Sequence, residues 1–329
     1  MTTTAPDQTD PPPALDAFRA DRVYLGADHR RNERRTWIVT GICAATLVLL
    51  VVGGAATRSL ALIASGLHMA AHVAALLVAS AAYALARRHA GNPAFSFGTG
   101  KLGYLAGFAN AVVLAVTAVL IGAESLMRLL NPETVNYGDA LPIAAAGLVV
   151  TLVCIWLLKP TGAAAARNDP EGDLNLSAAH LHLTADAAVS VLALIAVLAG
   201  RQLGWSFADP LAGLLAAGLV AQFAWTLMRR AGAALLDINP SPELTAEVRR
   251  RLSHDGERVI DLHLWRLGPG HHAVIAVIAS AHPKPVTTYR ARLAGLAGLS
   301  HVTVEVRDDA RTGAEDHDHH DHVHGHGHG

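Results

Sequence analysis

The amino-acid sequence predicts an α-helical membrane protein with six transmembrane helices and a C-terminal cytoplasmic ferredoxin-like α+β domain of order α-β-β-α-β. Three observations predict it. The chain is 52% hydrophobic and only 16% charged, against about 25% charged in a soluble domain. Six apolar runs, at 36–57, 59–86, 102–128, 139–158, 176–200 and 209–230, are long enough to cross a bilayer, which takes roughly 20 residues each. After Asp237 the pattern changes to short amphipathic segments. The chain therefore divides into an N-terminal segment (1–35), a transmembrane domain (36–230), the ferredoxin-like domain (231–309) and a His-rich, disordered tail (310–329).

Each element has its own warrant. The first 35 residues are polar, with Pro11 to Pro13 and the cluster "RRNERR". No short apolar stretch is followed there by a small-residue cleavage site, so no cleaved signal peptide is expected. Basic residues set the orientation of the spans. Arg30, Arg31, Arg34, Arg35, Arg87, Arg88, Lys101, Lys159, Arg167, Arg229 and Arg230 fall on one side. Only Arg58, Arg128 and Arg201 fall on the other, which predicts that both termini are cytoplasmic. Beyond the last span, "PELTAEVRRRL" opens on proline and predicts a helix over 242–254. Strands follow at 258–267 and 271–281, a helix at 285–298 and a strand at 300–307; "VIDLHLW" and "HVTVEV" alternate as half-buried strands do. A core of about 65 residues is marginal, so contact with a second copy is expected to help hold it.

Several chemistries are excluded. The net charge of −1 gives no footprint for nucleic acid. Cys43 and Cys154 both lie in apolar runs without a C-x-x-C, so neither a disulfide framework nor a thiol redox site is expected. "FGTGK", Phe97 to Lys101, lacks the spacing and the hydroxyl residue of a phosphate loop, and no ATP is expected. A helical zinc hydrolase needs a glutamate after its first histidine, where Met69 stands.

The chemistry that remains lies inside the spans. "SGLHMAAH" places His68 and His72 one turn apart on span two, and "HLTAD" places His182 and Asp186 likewise on span five. Residues four apart share a helix face. An aspartate at the bilayer centre costs about 2.5–3.5 kcal/mol, so it is retained for a partner or a function. Three imidazoles and one carboxylate suit Zn²⁺ or a similar divalent ion. At 1.5 Å per residue, His72 lies about 20 Å and Asp186 about 15 Å into spans of opposite direction, which puts both pairs near mid-membrane. The plainer reading of these residues is a polar contact between helices. His180 points to another face and reads as a structural or mouth histidine.

These motifs resemble the cation diffusion facilitators, proton-coupled antiporters of divalent metals. The carriers are "SLALIASGLHMAAH", "FSFGTGKLGYLAGFANA", "HLHLTADAAVSVL", "DPLAGLLAAGLV" and "DLHLWRLGPGHH", and they span Asp28 to Arg307. "GADHRRNERRTW", "FGTGKLG" and "LHLWRLGPGH" look like the cobalt/nickel-efflux branch. The resemblance implies a homodimer in a bacterial inner membrane that moves Co²⁺, Ni²⁺ or Zn²⁺ against protons by alternating access. It implies a transport site of His68, His72, His182 and Asp186, no resident cofactor, and a Lys101–Asp237 pair near the dimer contact. Asp261, His263, His301 and Glu305 are available for a cytoplasmic metal cluster, without reproducing one full ligand set. The tail histidines His317, His319, His320, His322, His324, His326 and His328 read as metal-collecting by composition. A passive metal channel and a membrane-anchored metal sensor or store are the alternatives.

Overall fold

The structure, a computed structural model, describes residues 23–58, 60–131, 137–159, 173–205, 207–254 and 256–309. The segment before Val23, Arg167 and the histidine-rich tail lie outside the described residues. Six long helices come first: α1 (His29–Thr57), α2 (Leu60–Arg88), α3 (Leu102–Leu130), α4 (Tyr137–Leu158), α5 (Leu174–Leu203) and α6 (Ala208–Leu235). Then follow α7 (Pro242–Leu252), β1 (Arg258–Gly268), β2 (His271–Ser280), α8 (Val286–Leu293) and β3 (Leu299–Asp308).

All six long helices are apolar enough to cross a membrane. Their outer faces agree with that: Leu49 is 73% exposed, Val119 70% and Trp156 72%, which only lipid would cover favourably. α1 begins seven residues before its apolar run. Its polar first turns are drawn into the helix by partners on neighbouring helices: Arg87 donates twice to Glu33, and Asn32 donates to Asp173. At 29 residues, α1, α2 and α3 are each about 43 Å long, against a hydrocarbon core of about 30 Å, so their polar ends stand in the interface.

The helices pack mainly as α3 on α6, α1 on α2 and α4 on α5, with α5 also lying against α6. The α3–α6 seam is built of small side chains, Ala111, Ala118, Ala224, Ala231 and Ala234, with Leu114, Val220 and Leu227 between them. Small residues allow helix axes to approach closely where no hydrophobic drive separates helix from lipid. A second apolar cluster joins α1, α2, α4 and α5 through Val39, Met69, Leu76, Leu158, Leu176 and Leu183.

The C-terminal part is a three-stranded sheet of order β1-β2-β3, with β1–β2 antiparallel and β2–β3 parallel. α7 and α8 cover one face, where Val248, Leu252, Tyr289 and Leu293 meet Leu264, Val274, Ile278 and Val304. α8 stops at Leu293, five residues short of the predicted end. Ala294 already leaves the helix with ψ of 139°, and Gly295 follows at φ of 82°, the left-handed backbone common just past a helix end.

The opposite face of the sheet looks toward the bundle and meets it at a three-way junction. Tyr24 is buried against Trp265, Leu267 and Ala273. Gly100, just before α3, and Gly268, at the end of β1, leave no room for a side chain. A Cβ on Gly100 would collide with the Leu267 carbonyl oxygen, and one on Gly268 with that of Tyr24. His271 adds a contact to the Leu25 carbonyl oxygen at 3.4 Å and one to Ser300 Oγ at 2.7 Å.

Candidate functional site

α2 and α5 run in opposite directions through the bundle and bring their polar pairs to one level. His68 Nε2 lies 2.8 Å from Asp186 Oδ1 and 3.1 Å from His72 Nε2, and His72 Nε2 lies 3.2 Å from the same Asp186 oxygen. Three donor atoms thus form a closed triangle. Among the described residues, His68, His72 and Asp186 are the one group of three such side chains close enough to hold a metal ion. With metal–nitrogen bonds of 2.0–2.1 Å, a tetrahedral ion separates its ligand atoms by about 3.3–3.4 Å. Opening the triangle by a few tenths of an ångström would fit one.

His182 is close but faces differently. Its Nε2 lies 3.0 Å from His72 Nδ1, the nitrogen that points away from the triangle, and its own Nδ1 is buried with no hydrogen-bond partner. The structure therefore gathers three of the four sequence-derived residues around one point and sets the fourth behind His72. Asp186 has a further partner that the sequence reading missed. Thr151 on α4 donates to Asp186 Oδ2 at 3.2 Å, so one carboxylate oxygen is held while the other faces the imidazoles.

A cavity of about 800 Å³ reaches His68 and Asp186. Its walls come from Thr46 and Leu50 on α1, Leu62 and Ser65 at the start of α2, Pro142 and Gly147 at the start of α4, and Ser190 and Ala193 on α5. All of these lie on the half of the bundle away from the sheet domain. The His68 side chain is 54% exposed in this cavity, whereas His72 and Asp186 are only 5% and 9% exposed. The cavity floor is thus a polar surface at mid-bundle, backed by the α1–α2–α4–α5 apolar cluster.

The other residues singled out are dispersed. Asp261 and His263 pair with each other on β1 at 2.8 Å, and Glu305 pairs with Arg307 on β3. His301 packs edge-on against Phe97. The central strand β2 lies between these two edges, so the four do not gather within this chain. Lys101 and Asp237 form an ion pair at 2.5 Å between the start of α3 and the residue just past the cap of α6. Asp237 has φ of 56°, a left-handed conformation that aspartate tolerates better than most residues. His180 is half-buried, and its carbonyl accepts from Thr184. Cys43 and Cys154 are free thiols whose sulfurs lie 3.8 Å apart between α1 and α4.

A multi-pass membrane bundle with imidazole and carboxylate donors at the floor of an internal cavity defines a protein that handles cations within the membrane. Residues 36–236 match the family model of the cation efflux transmembrane domain. The chain belongs to this family, whose members are transporters and not enzymes. It is 35% identical to the zinc transporter ZitB of Escherichia coli (strain K12) over 240 residues, 72% of this chain and 74% of that one. It is 26% identical to the cadmium, cobalt and zinc/H(+)-K(+) antiporter of Bacillus subtilis (strain 168), covering 87% of this chain and 93% of the other. It is 28% identical to the metal cation efflux system protein CzcD of Cupriavidus metallidurans, covering 85% and 90%.

Proposed function

We propose that the protein exports divalent metal cations, Zn²⁺, Co²⁺ or Ni²⁺, in exchange for protons, through a site made by His68, His72 and Asp186 with His182 as the fourth ligand. The observation that carries this reading is the donor triangle at the floor of the cavity. Nitrogen-rich donors favour these ions over Mn²⁺ and Mg²⁺. The names of the relatives mention zinc, cobalt and cadmium, which is in keeping with that donor chemistry. Histidine titrates near neutral pH, and a metal ligand must be deprotonated. One site can therefore hold metal or protons, and this competition supplies the coupling.

The positive-inside pattern supports a cytoplasmic sheet domain, and the relatives support a bacterial inner membrane. In that orientation the 800 Å³ cavity faces outward and metal arrives from the domain end. The resemblance also supports a homodimer, with Lys101 and Asp237 clamping α3 to α6. The test is metal uptake into proteoliposomes across an imposed pH gradient, with each ion in turn. Flux that follows the gradient and vanishes in Asp186→Ala is the expected result. Flux indifferent to the gradient would sink the coupling and leave a channel, and undiminished flux in Asp186→Ala would sink the site.

A further inference from the structure

The cavity opens away from the sheet domain, and at the domain end the same helices are tied together by polar contacts. Asp173, the N-cap of α5, holds three groups at once. Its Oδ1 accepts from the Leu176 backbone N–H at 3.2 Å, and its Oδ2 accepts from Asn32 Nδ2 of α1 at 2.9 Å and from the Tyr83 hydroxyl of α2. Asn32 and Tyr83 are both buried. Below this point Asn175 donates to the Ala79 carbonyl oxygen at 2.8 Å, and Thr40 meets Ser80 at 3.1 Å. Then come Leu176, Ala179 and Leu183 of α5, which pack against Val39 and Leu76 before the donor triangle is reached.

We infer that Asp173 is a positioning residue for transport. Through Asn32 and Tyr83 it holds the start of α5 against α1 and α2, closing the domain end of the metal pathway while the far end is open. The inference takes its meaning from the transport-site reading above. An ion moving between the domain end and the triangle must part α5 from α1 and α2, and among the described residues the Asp173 bonds are the outermost side-chain contacts joining α5 to those two helices. A carboxylate that accepts two side-chain bonds across helices is worth more than a neutral pair, so it biases the equilibrium between the two openings strongly. The closed face is also incompletely satisfied, because Asn175 Oδ1 is buried with no hydrogen-bond partner. An arrangement with such a cost is one the molecule can leave.

The test uses reporter thiols and no metal, so it stands apart from the transport-site reading. His180→Cys reports the domain end, and Ser190→Cys, in the cavity wall, reports the far end. Each is labelled in proteoliposomes by a membrane-impermeant maleimide, with the parent chain as control for Cys43 and Cys154. Tyr83→Phe removes a single hydroxyl and keeps the ring. Asp173→Ser keeps a helix cap and loses the bridge. Both should raise labelling of His180→Cys about tenfold and lower that of Ser190→Cys. Unchanged labelling at both ends in folded Tyr83→Phe would overturn the assignment, as would a rise at both ends together, which is loosening and not a shift between openings.

Discussion

At the scale of single residues, Thr151 decides which face Asp186 presents. Its hydroxyl occupies Oδ2 and leaves Oδ1 to the imidazoles. Thr151→Val keeps the shape and removes that bond. Loss of such a ligand-orienting partner typically costs 10–100-fold in affinity, so Zn²⁺ or Co²⁺ binding by calorimetry in detergent should weaken by about tenfold or more. His182 makes a second prediction. Its Nε2 lies against the far nitrogen of His72, so it must turn to become the fourth ligand, and His182→Ala should weaken metal binding less than His72→Ala does. No loss at all in His182→Ala would remove it from the ligand set. The two i,i+4 pairs were legible because helical spacing alone puts each pair on one face. Thr151 was not, because a threonine in an apolar helix ordinarily bonds its own preceding turn. Thr36, Thr40, Thr46 and Thr117 all do so here. That Thr151 reaches another helix follows from how α4 lies against α5, which one sequence does not state. His182 shows the same limit in reverse, since spacing gives the face of a residue and not the nitrogen it offers.

At the scale of elements, alternation in "VIDLHLW" and "HVTVEV" made the strands readable, and the order α-β-β-α-β followed. What alternation leaves out is which strand lies in the middle. Asp261 and Glu305 occupy the same face, each opposite Val277, but β2 separates them by two strand spacings, about 9.5 Å. The end of α8 differs for a local reason: a glycine can sit inside a helical pattern or follow its end, and here the chain leaves the helix at Ala294 and turns left-handed at Gly295. One ion cluster ties α8 to the start of β1. Glu257 is buried and accepts from Arg292 and from the Tyr289 hydroxyl, the latter at 3.0 Å, with Lys284 at 3.6 Å. Burial works to raise the Glu257 carboxyl pKa, but these bonds and charges outweigh it and hold the value below the usual glutamate range. A carboxyl whose folded pKa is depressed contributes stability above its unfolded pKa, about 4.3. That stability is lost as pH falls through the folded value. Hydrogen-exchange protection factors in β1 and α8, taken relative to the intrinsic rate at each pH, should therefore fall on acidification below about pH 4.3, and Glu257→Gln should flatten this dependence. An identical pH profile in the variant would show that the cluster contributes nothing.

At the scale of the whole molecule, the sheet domain meets the bundle where three backbones touch at Tyr24, Gly100 and Gly268 with no space for a side chain. Gly100→Ala would force them apart, and so should lower transport while leaving each part folded. Circular dichroism and flux on the same proteoliposomes would show the separation; full flux in the variant would mean the junction transmits nothing. The division into bundle and sheet domain could be read from the change in pattern after Asp237, but the junction could not. Two of its members are glycines, which carry no pattern, and Tyr24 lies in a polar stretch that gives no helical or strand period.

The same junction fixes an order of assembly. Tyr24 is synthesised before all six long helices, yet the groups that bury it are Trp265, Leu267 and Ala273. At about 5–20 residues per second, roughly 12–50 s separate the synthesis of its two sides. Through that interval Tyr24 has no place to dock, and β1 and β2 close over it only once they are made. A chain stopped before residue 258 should insert its six helices and leave Tyr24 open to protease, and one completed through β2 should protect it. Equal cleavage of the two chains would show that the N-terminal segment finds its place without the sheet.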